Sequence, residues 1–555
     1  MKLPPHLVPS FLVPLYLISL ALSSCAQNPA TGQNYFTLTN KGEQRQIGDA
    51  TATSTLEADG VYRPASAATQ YVNALCNRIY AVTESAAEPV QCNLIDSNEV
   101  NAYATPGYLQ FYRGLLAFMS SEDELAAIIG HEAAHLTSRH VARSVTTSRL
   151  TNLLVLGAVA AVASNGQTPD PVTTQTVADL GNQAGQLTRK AFSRDYEREA
   201  DHIGRRYMQA AGFAPTGSTA AQQAMLLYNA YEERRMTEAF GAEQQSVLAR
   251  LKSSHPPSQE RLQTSLKEAG PATALPPEQD AARQRYMQAI HGLAYGPARR
   301  YGIARKAELV LTRERIVLPL PAGATTEYLS SGSYDNLGTW LIGHPQSGVH
   351  VRLTAIAAVS GRSPAAVLQQ GLPALNGGVQ RITIGQNLPS EDAAEDTTET
   401  RIPLNEDAAD YLADTQADDL GQTPHRQVIG YTVTYRFLNS PKRFRVVAFQ
   451  TATRKDRMII LTAIYPTEAA MAAEDGNLMS ILQNVRFLTR TQALKYQPLQ
   501  LHIFTAAQGE TVAHKAAQLP IGAYNEPLFR ALNNLPPGTD LLPGQLYKTI
   551  IDPNP

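Results

Sequence analysis

The sequence predicts an α+β chain of several domains. Three observations carry this. In the first half of the chain, apolar residues recur at helical spacing behind capping signals. From about 308 to 490, strand-like runs such as Arg445–Ala448 and Arg457–Ile464 dominate, with a helix near Glu468–Gln483 before Val485–Leu488. The length, 555 residues, suits three or so domains. Charge is balanced, 47 Lys and Arg against 49 Asp and Glu, which argues against a nucleic-acid binder.

At the N-terminus, Lys2 precedes an apolar run from Leu7 to Leu22, and Leu22-Ser23-Ser24-Cys25 follows. Pro9 and Pro14 interrupt the run and a small-residue cleavage site ends it. Residues 1–24 therefore read as a signal peptide and not as a spanning helix. The segment resembles a bacterial lipoprotein signal. That resemblance implies export, a lipidated Cys25 as first residue of the mature chain, and, with Ala26 in place of Asp, the periplasmic face of the outer membrane. A plain cleaved signal peptide is the alternative. With Cys25 taken, Cys76 on a helical pattern and Cys92 on a short strand pattern can pair in an oxidising compartment, or remain two buried thiols.

Ser121-Glu122-Asp123-Glu124 opens a helix as a capping box, with Ser121 as N-cap and Glu124 reaching back. Leu125, Ile128 and Ile129 give its core-facing stripe, and no Gly–Pro break interrupts it between His131 and Arg143. Within it stands His131-Glu132-Ala133-Ala134-His135. Histidines at i and i+4 lie one above the other, so both rings can reach one metal ion. Zinc takes neutral imidazole and carboxylate ligands, and a catalytic site keeps one position open for water. Glu132, next to the first ligand, sits where it can take a proton from that water. Such a pattern arises by chance in a chain this long on the order of a per cent or two of the time, so its context matters. A pair of surface histidines on an amphipathic helix is the bland alternative.

The context is a second helix over Phe192–Asp201 and beyond. Glu197 and Asp201 share a face, Glu197 as the third metal ligand and Asp201 as the acceptor that fixes a ligating ring. Glu199 is the rival, about 200° round the helix from Glu197. Gly212 ends this helix, with Pro215 just beyond. A charged, solvated face is the plain alternative, since Arg194, Arg198 and Arg205 surround these residues.

His-Glu-x-x-His with a later Glu-x-x-x-Asp is the gluzincin pattern. Residues 131–140 and 193–201, Asn98–Gly107, Arg113-Gly114-Leu115-Leu116, and Ser253-Ser254-His255-Pro256-Pro257 with Arg261 resemble the ordered motifs of the HtpX and CAAX-prenyl-protease family. They resemble in particular its periplasmic lipoprotein branch, to which BepA and LoiP belong. The resemblance covers about residues 26–268; one departure is Tyr108-Leu109, where the family often has a second Gly. It implies a mainly helical gluzincin peptidase domain, residues 25–268, with a small sheet. His131, His135 and Glu197 would hold one Zn2+ per chain, and Glu132 would be the general base. An edge strand at Asn101, Ala102, Tyr103 and Ala104 would receive substrate; Tyr108–Tyr112, after a Pro-Gly turn, is β-rich in its own right. His255 would approach the zinc as a fourth ligand or gate, the alternative being a loop histidine before two prolines.

The apolar run 152–163 is too short to span a bilayer and reads as core, a lid or a hairpin, beside a polar loop at 164–174. Residues 269–307 read as a linker and bridging segment. The α+β region 308–490 shows no catalytic constellation, and its acidic stretch 391–419 reads as a solvated insertion. Residues 499–551 resemble a LysM module, a βααβ fold that binds N-acetylglucosamine glycans. Two functions remain. One is a zinc endopeptidase that degrades misfolded or misassembled envelope proteins. The other is a largely latent protease acting as a chaperone or scaffold on extended peptides and peptidoglycan.

Overall fold

The structure is a computed structural model. It describes residues 25–553 apart from 64, 152–191, 242–254, 256–257, 273–279, 330–335, 345–346, 358–362, 372–378, 386–426, 437–439 and 452–456. The signal peptide, the apolar run 152–163, the loop at 164–174 and the acidic stretch 391–419 lie outside the described residues.

Two short strands, β1 (Cys25–Gln27) and β2 (Asn34–Phe36), pair antiparallel. Helices α1 (Lys41–Ala58) and α2 (Ala67–Tyr80) follow, each begun by a side chain, Asn40 or Ser66, that accepts an N–H of the first turn. Strands β3 (Gln91–Ile95), β4 (Ala102–Thr105) and β5 (Tyr108–Tyr112) form a sheet in the order β3-β5-β4, which leaves β4 at its edge. Gly107 makes the tight β4–β5 turn with φ +91°, a value that a side chain would strain. Cys76 and Cys92 form a disulfide between α2 and β3.

Helix α3 (Arg113–Phe118) leads into α4 (Glu122–Thr137), followed by α5 (Arg194–Ala210), α6 (Thr216–Phe240), α7 (Gln259–Ala269) and α8 (Ala281–Ile290). Ser121 caps α4 as the sequence suggests, accepting the Glu124 N–H at 3.2 Å. Glu124 does not close the reciprocal box. Its carboxylate takes the Ser120 N–H at 2.8 Å, one residue earlier, because the side chain is buried beside Lys548. The helix is not continuous to Arg143 either. It ends at Thr137, Arg139 turns left-handed with φ +56°, and helix resumes at His140. A fork of the Arg139 guanidinium onto Glu88, 2.6 and 2.7 Å, holds that turn. Helix α5 ends as its sequence suggests. Gly212 has φ +83°, and the N–H groups of Gly212 and Phe213 bond back to Gln209 and Met208, closing the last carbonyls.

Helices α4 and α5 cross backbone to backbone. A Cβ on Gly204 would stand 2.6 Å from the His131 nitrogen, and one on Gly130 would stand 2.5 Å from the Gly204 oxygen. Only two glycines allow this approach, and it brings side chains of both helices to one point.

Beyond α8, seven antiparallel strands stand in the order Thr325–Leu329, Asn336–Gly343, His350–Ala357, Arg457–Tyr465, Arg443–Gln450, Val428–Tyr435, Gln380–Ile384. Val446 and Ala448 cluster with Leu368 of the helix Pro364–Gly371, whereas Val447 and Phe449 cluster with Leu482 of the helix Glu468–Gln483. With a side-chain period of two, one helix therefore covers each face. A four-stranded sheet of Ile303–Ala304, Glu308–Leu311, Ile316–Pro319 and Arg486–Phe487 lies alongside.

The last segment runs strand Leu499–Thr505, helices Val512–Ala517 and Asn525–Leu532, strand Leu546–Ile551. Ala294–Tyr295 adds a third strand to its sheet. Its buried Phe529, Leu532, Tyr547 and Ile550 join one apolar cluster with Leu116 and Tyr286 of the N-terminal half. No helix among the described residues is long and apolar enough to cross a membrane.

Candidate metal centre

Helix α4 stacks His131 and His135 one turn apart, with their Nε2 atoms 3.0 Å from each other. Glu197 enters from α5. Its Oε1 is 3.4 Å from His135 Nε2, and its Oε2 is 3.5 Å from His131 Nε2. His255 closes the group, its Nδ1 2.8 Å from Glu197 Oε1 and 3.2 Å from His131 Nε2. One donor atom from each of these four residues lies within 4.8 Å of the others. Three imidazole nitrogens and a carboxylate are a zinc donor set. So many lone pairs converging in a buried spot would be costly with nothing to share them, and one dication satisfies all four.

The electrostatics suit that cation. Burial pushes His135 well below the usual imidazole range against the upward pull of Glu197, so it is neutral, the form that binds metal. Burial raises the Glu197 carboxyl, yet His255, His131 and His135 together hold it well below the carboxylate range. At His131 burial acts downward, but Asp201 and Glu197 outweigh it and push the ring up to about 10. The position asks for positive charge, which a dication supplies as well as a proton does.

The supporting contacts fix both rings. His131 Nδ1 is 3.0 Å from Asp201 Oδ1. Arg261 of α7 grips Asp201 through two bonds of 2.7 Å and reaches Glu197 Oε2 at 2.9 Å. Burial raises Asp201, but Arg261 and His131 bring it down to about 2, so it is a carboxylate. On the other side, His135 Nδ1 meets His140 Nδ1 at 2.7 Å, and His140 Nε2 is 3.3 Å from Glu199 Oε2. Arg143 and Asn28 hold Glu199 in turn, at 2.9 and 3.0 Å. Glu199 is thus turned away from the metal position and acts on His135 through His140. Phe192 stacks on the His135 ring at 4.3 Å, and Tyr196 on His140 at 4.4 Å.

Sequence reasoning named His131, Glu132, His135, Glu197, Asp201 and His255, and the structure brings all six together. It missed the roles of His140, Glu199 and Arg261. His140 lies five residues after His135, which on an unbroken helix would point elsewhere; the turn at Arg139 brings it back.

Glu132 is buried, and its Oε2 has no protein partner. Its Oε1 is 3.5 Å from His255 Nε2. The carboxylate faces a cleft lined by Asn101, Ala102, Leu115, Ile128 and Met225. The first residues of β4 therefore run beside the metal position. Tyr112 donates its N–H to the Asn101 oxygen at 3.1 Å. By antiparallel alternation, Asn101, Tyr103 and Thr105 bond to β5, which leaves the main-chain groups of Ala102 and Ala104, both buried residues, pointing away from β5. The Asn101 side chain accepts the Ala102 N–H at 2.9 Å, in the place a visiting peptide carbonyl would take. Tyr103 faces α1 and bonds Thr55 at 2.6 Å.

Two helices crossing at glycines, with a His-Glu-x-x-His pair on one and a carboxylate on the other, define a zinc metallopeptidase domain. Residues 66–269 match the model of Peptidase family M48, a family of metalloproteases that use zinc. The Beta-barrel assembly-enhancing protease of Yersinia pestis is 33% identical over 152 residues, 26% of this chain and 30% of that protein. The protein of the same name from Escherichia coli K12 is 30% identical over 171 residues, 30% of this chain and 34% of that one. Metalloprotease LoiP of Escherichia coli K12 is 31% identical over 150 residues, 27% of this chain and 54% of that one. The chain thus spans about a third of the length of the first two relatives.

Proposed function

We propose that this chain is a zinc endopeptidase of the bacterial envelope that degrades misfolded or misassembled envelope proteins. The observation that carries this is the convergence of His131, His135 and Glu197 beside Glu132 and the edge strand β4. In this reading the first three residues hold one zinc ion, and Asp201 fixes the His131 ring. Bound there, zinc supplies a polarised scissile carbonyl and an acidified water. Glu132 takes the water's proton and passes it to the leaving amine. A substrate in extended form pairs with the edge at Asn101, Ala102, Tyr103 and Ala104. Main-chain pairing of this kind tolerates many sequences, which suits unfolded substrates. The relatives' names, a β-barrel assembly-enhancing protease among them, support the envelope role. No observation favours the scaffold reading over this one. The purified chain should carry about one zinc per molecule and cleave casein; a chelator should stop cleavage and added zinc restore it. Cleavage that persists in the fully stripped protein sinks this reading.

Anchoring belongs to the same proposal. Cys25 lies exposed, outside the disulfide, at the start of the described chain. Lipidation there would hold the protein on the periplasmic face of the outer membrane, since several acyl chains bind far more firmly than one. The wild type should label with palmitate and sediment with membranes, and Cys25→Ala should do neither. A Cys25→Ala protein that remains equally membrane-bound refutes the anchor. The βααβ order of the terminal segment agrees with a LysM-like module, which would add peptidoglycan as a partner; retention on insoluble peptidoglycan tests it.

His255 would act as a latch. Its Nδ1 is 3.2 Å from His131 Nε2 and its Nε2 is 3.5 Å from Glu132 Oε1, so as a fourth ligand it would take the position that a catalytic zinc keeps for water. His255→Ala should keep its zinc and raise basal casein cleavage several-fold, with more self-cleavage. Unchanged activity makes His255 a bystander, and lowered activity makes it a stabiliser of the oxyanion; either result removes the latch.

A further inference from the structure

A second, larger space opens behind the metal cleft. It is a cavity of about 220 Å³ between the N-terminal half, the large sheet and the terminal segment. Val100 and Asn101 line both spaces, so the cavity adjoins the cleft at the beginning of β4. Its far wall is the strand Thr325–Leu329, the edge of the seven-stranded sheet. Its chemistry differs from that of the cleft. Arg235 donates Nε and Nη2 to the two oxygens of Glu232, at 3.2 and 2.6 Å, and Nη2 also to Glu327. The remaining nitrogen bonds the Thr326 oxygen at 3.2 Å. One guanidinium is therefore shared between two nearly buried carboxylates, and with both of them ionised the group carries one negative charge in excess. The other arginines of the lining answer acids elsewhere: Arg113 pairs with Asp96 at 2.9 Å and Arg305 with Asp552 at 2.7 Å. Burial raises the Glu327 carboxyl, with Arg235 acting against it, which is the cost of leaving that charge half-matched. Tyr231, Tyr295 and Tyr328 are also in the lining, with Arg235 already over the Tyr231 ring at 5.9 Å and Tyr328 stacked on Tyr301 at 4.9 Å. Buried Thr325 has a hydroxyl with no partner on the same wall.

We propose that this cavity is a substrate subsite that takes a lysine or arginine side chain, from the part of an extended polypeptide that runs past Asn101 out of the catalytic cleft. A cation there completes the charge of the Glu232–Arg235–Glu327 group in a space also lined by tyrosines, whose rings favour ammonium and guanidinium groups where they meet them. The edge strand at Thr325–Leu329 offers main-chain groups to the same extended segment. The result is selectivity by position: a basic residue at a fixed distance from the scissile bond, with little demand elsewhere.

This inference rests on the protease reading, and one experiment separates the two. Full-length Glu132→Gln protein is loaded with zinc. Fluorescent, otherwise neutral peptides of equal length, each with one lysine at a different position, are titrated against it by anisotropy. One lysine position should bind about tenfold more tightly than its norleucine counterpart, the scale of a close charge pair in a desolvated site. Glu327→Gln should remove that advantage while leaving the norleucine peptides bound as before. Equal binding at every lysine position overturns the proposal, and because the norleucine comparison uses an unaltered cavity, misfolding of a cavity variant cannot imitate that result. Wild-type cleavage of the same peptides then separates the readings. Cleavage without positional preference leaves the protease standing and removes the subsite; positional binding without cleavage does the reverse.

Discussion

Replacing Glu132 with Gln should leave the zinc in place and stop peptide hydrolysis. The two side chains have the same shape, and Glu132 is not among the four converging donors, so metal content should match the wild type. What is lost is a base. The carboxylate is buried, one of its oxygens has no protein partner, and it faces the cleft that β4 borders. An amide cannot take the water's proton or deliver it to the leaving amine. General acid–base contributions of this kind are worth about 10²–10⁴-fold, so casein cleavage should fall by at least the lower figure. His135→Ala is the contrasting variant: it removes a donor and should lose zinc and turnover together. A Glu132→Gln protein that cleaves at the wild-type rate would require another base, such as His255, whose Nε2 is 3.5 Å from Glu132 Oε1.

Much of this centre could be read from the sequence because it depends on local rules. Helical spacing places His131 over His135 and Glu197 over Asp201, and a Gly at position 212 stops the second helix. What could not be read depends on contacts between distant segments. The left-handed Arg139 is a poor choice by propensity and is held by Glu88, some fifty residues earlier. With that turn unseen, the line from Glu199 through His140 to His135 was unseen as well, and Glu199 read only as a rival ligand. Gly130 and Gly204 look like ordinary helix-weakening residues until the two helices are laid across each other. At the C-terminus, strand and turn signals mark out the last segment. The alternation along Leu546–Ile551 does not reveal that the inward face meets the N-terminal half and not only its own helices.

Lys548 makes that last point testable. It lies on the final strand and is fully buried. Its ammonium donates to the Ala117 oxygen at 2.8 Å, the Met119 oxygen and the Ser120 hydroxyl at 3.4 Å. These are the last carbonyls of α3 and the connection into α4, the helix that carries His131 and His135. Burial pushes Lys548 well below its ordinary range, and Glu124, itself buried at the start of α4, opposes this. Three acceptors match the three donors of an ammonium, so nothing is left over. Lys548→Met keeps the volume and removes every one of these bonds. Two buried carbonyls and a hydroxyl lose their partner, at about 1–3 kcal/mol for each unsatisfied group, and Glu124 is left with Arg283 as its nearby cation. Breaking a buried charge arrangement from one side costs about 3–5 kcal/mol, and that is the expected loss for the N-terminal half as well as for the terminal segment. The first thermal transition of the zinc-loaded protein should drop clearly. Limited proteolysis should then cut near Met119–Ser121, where the connection into α4 is released. A Lys548→Met protein that melts within about 1 kcal/mol of the wild type would mean that the terminal strand only rests on the metallopeptidase domain and does not brace it.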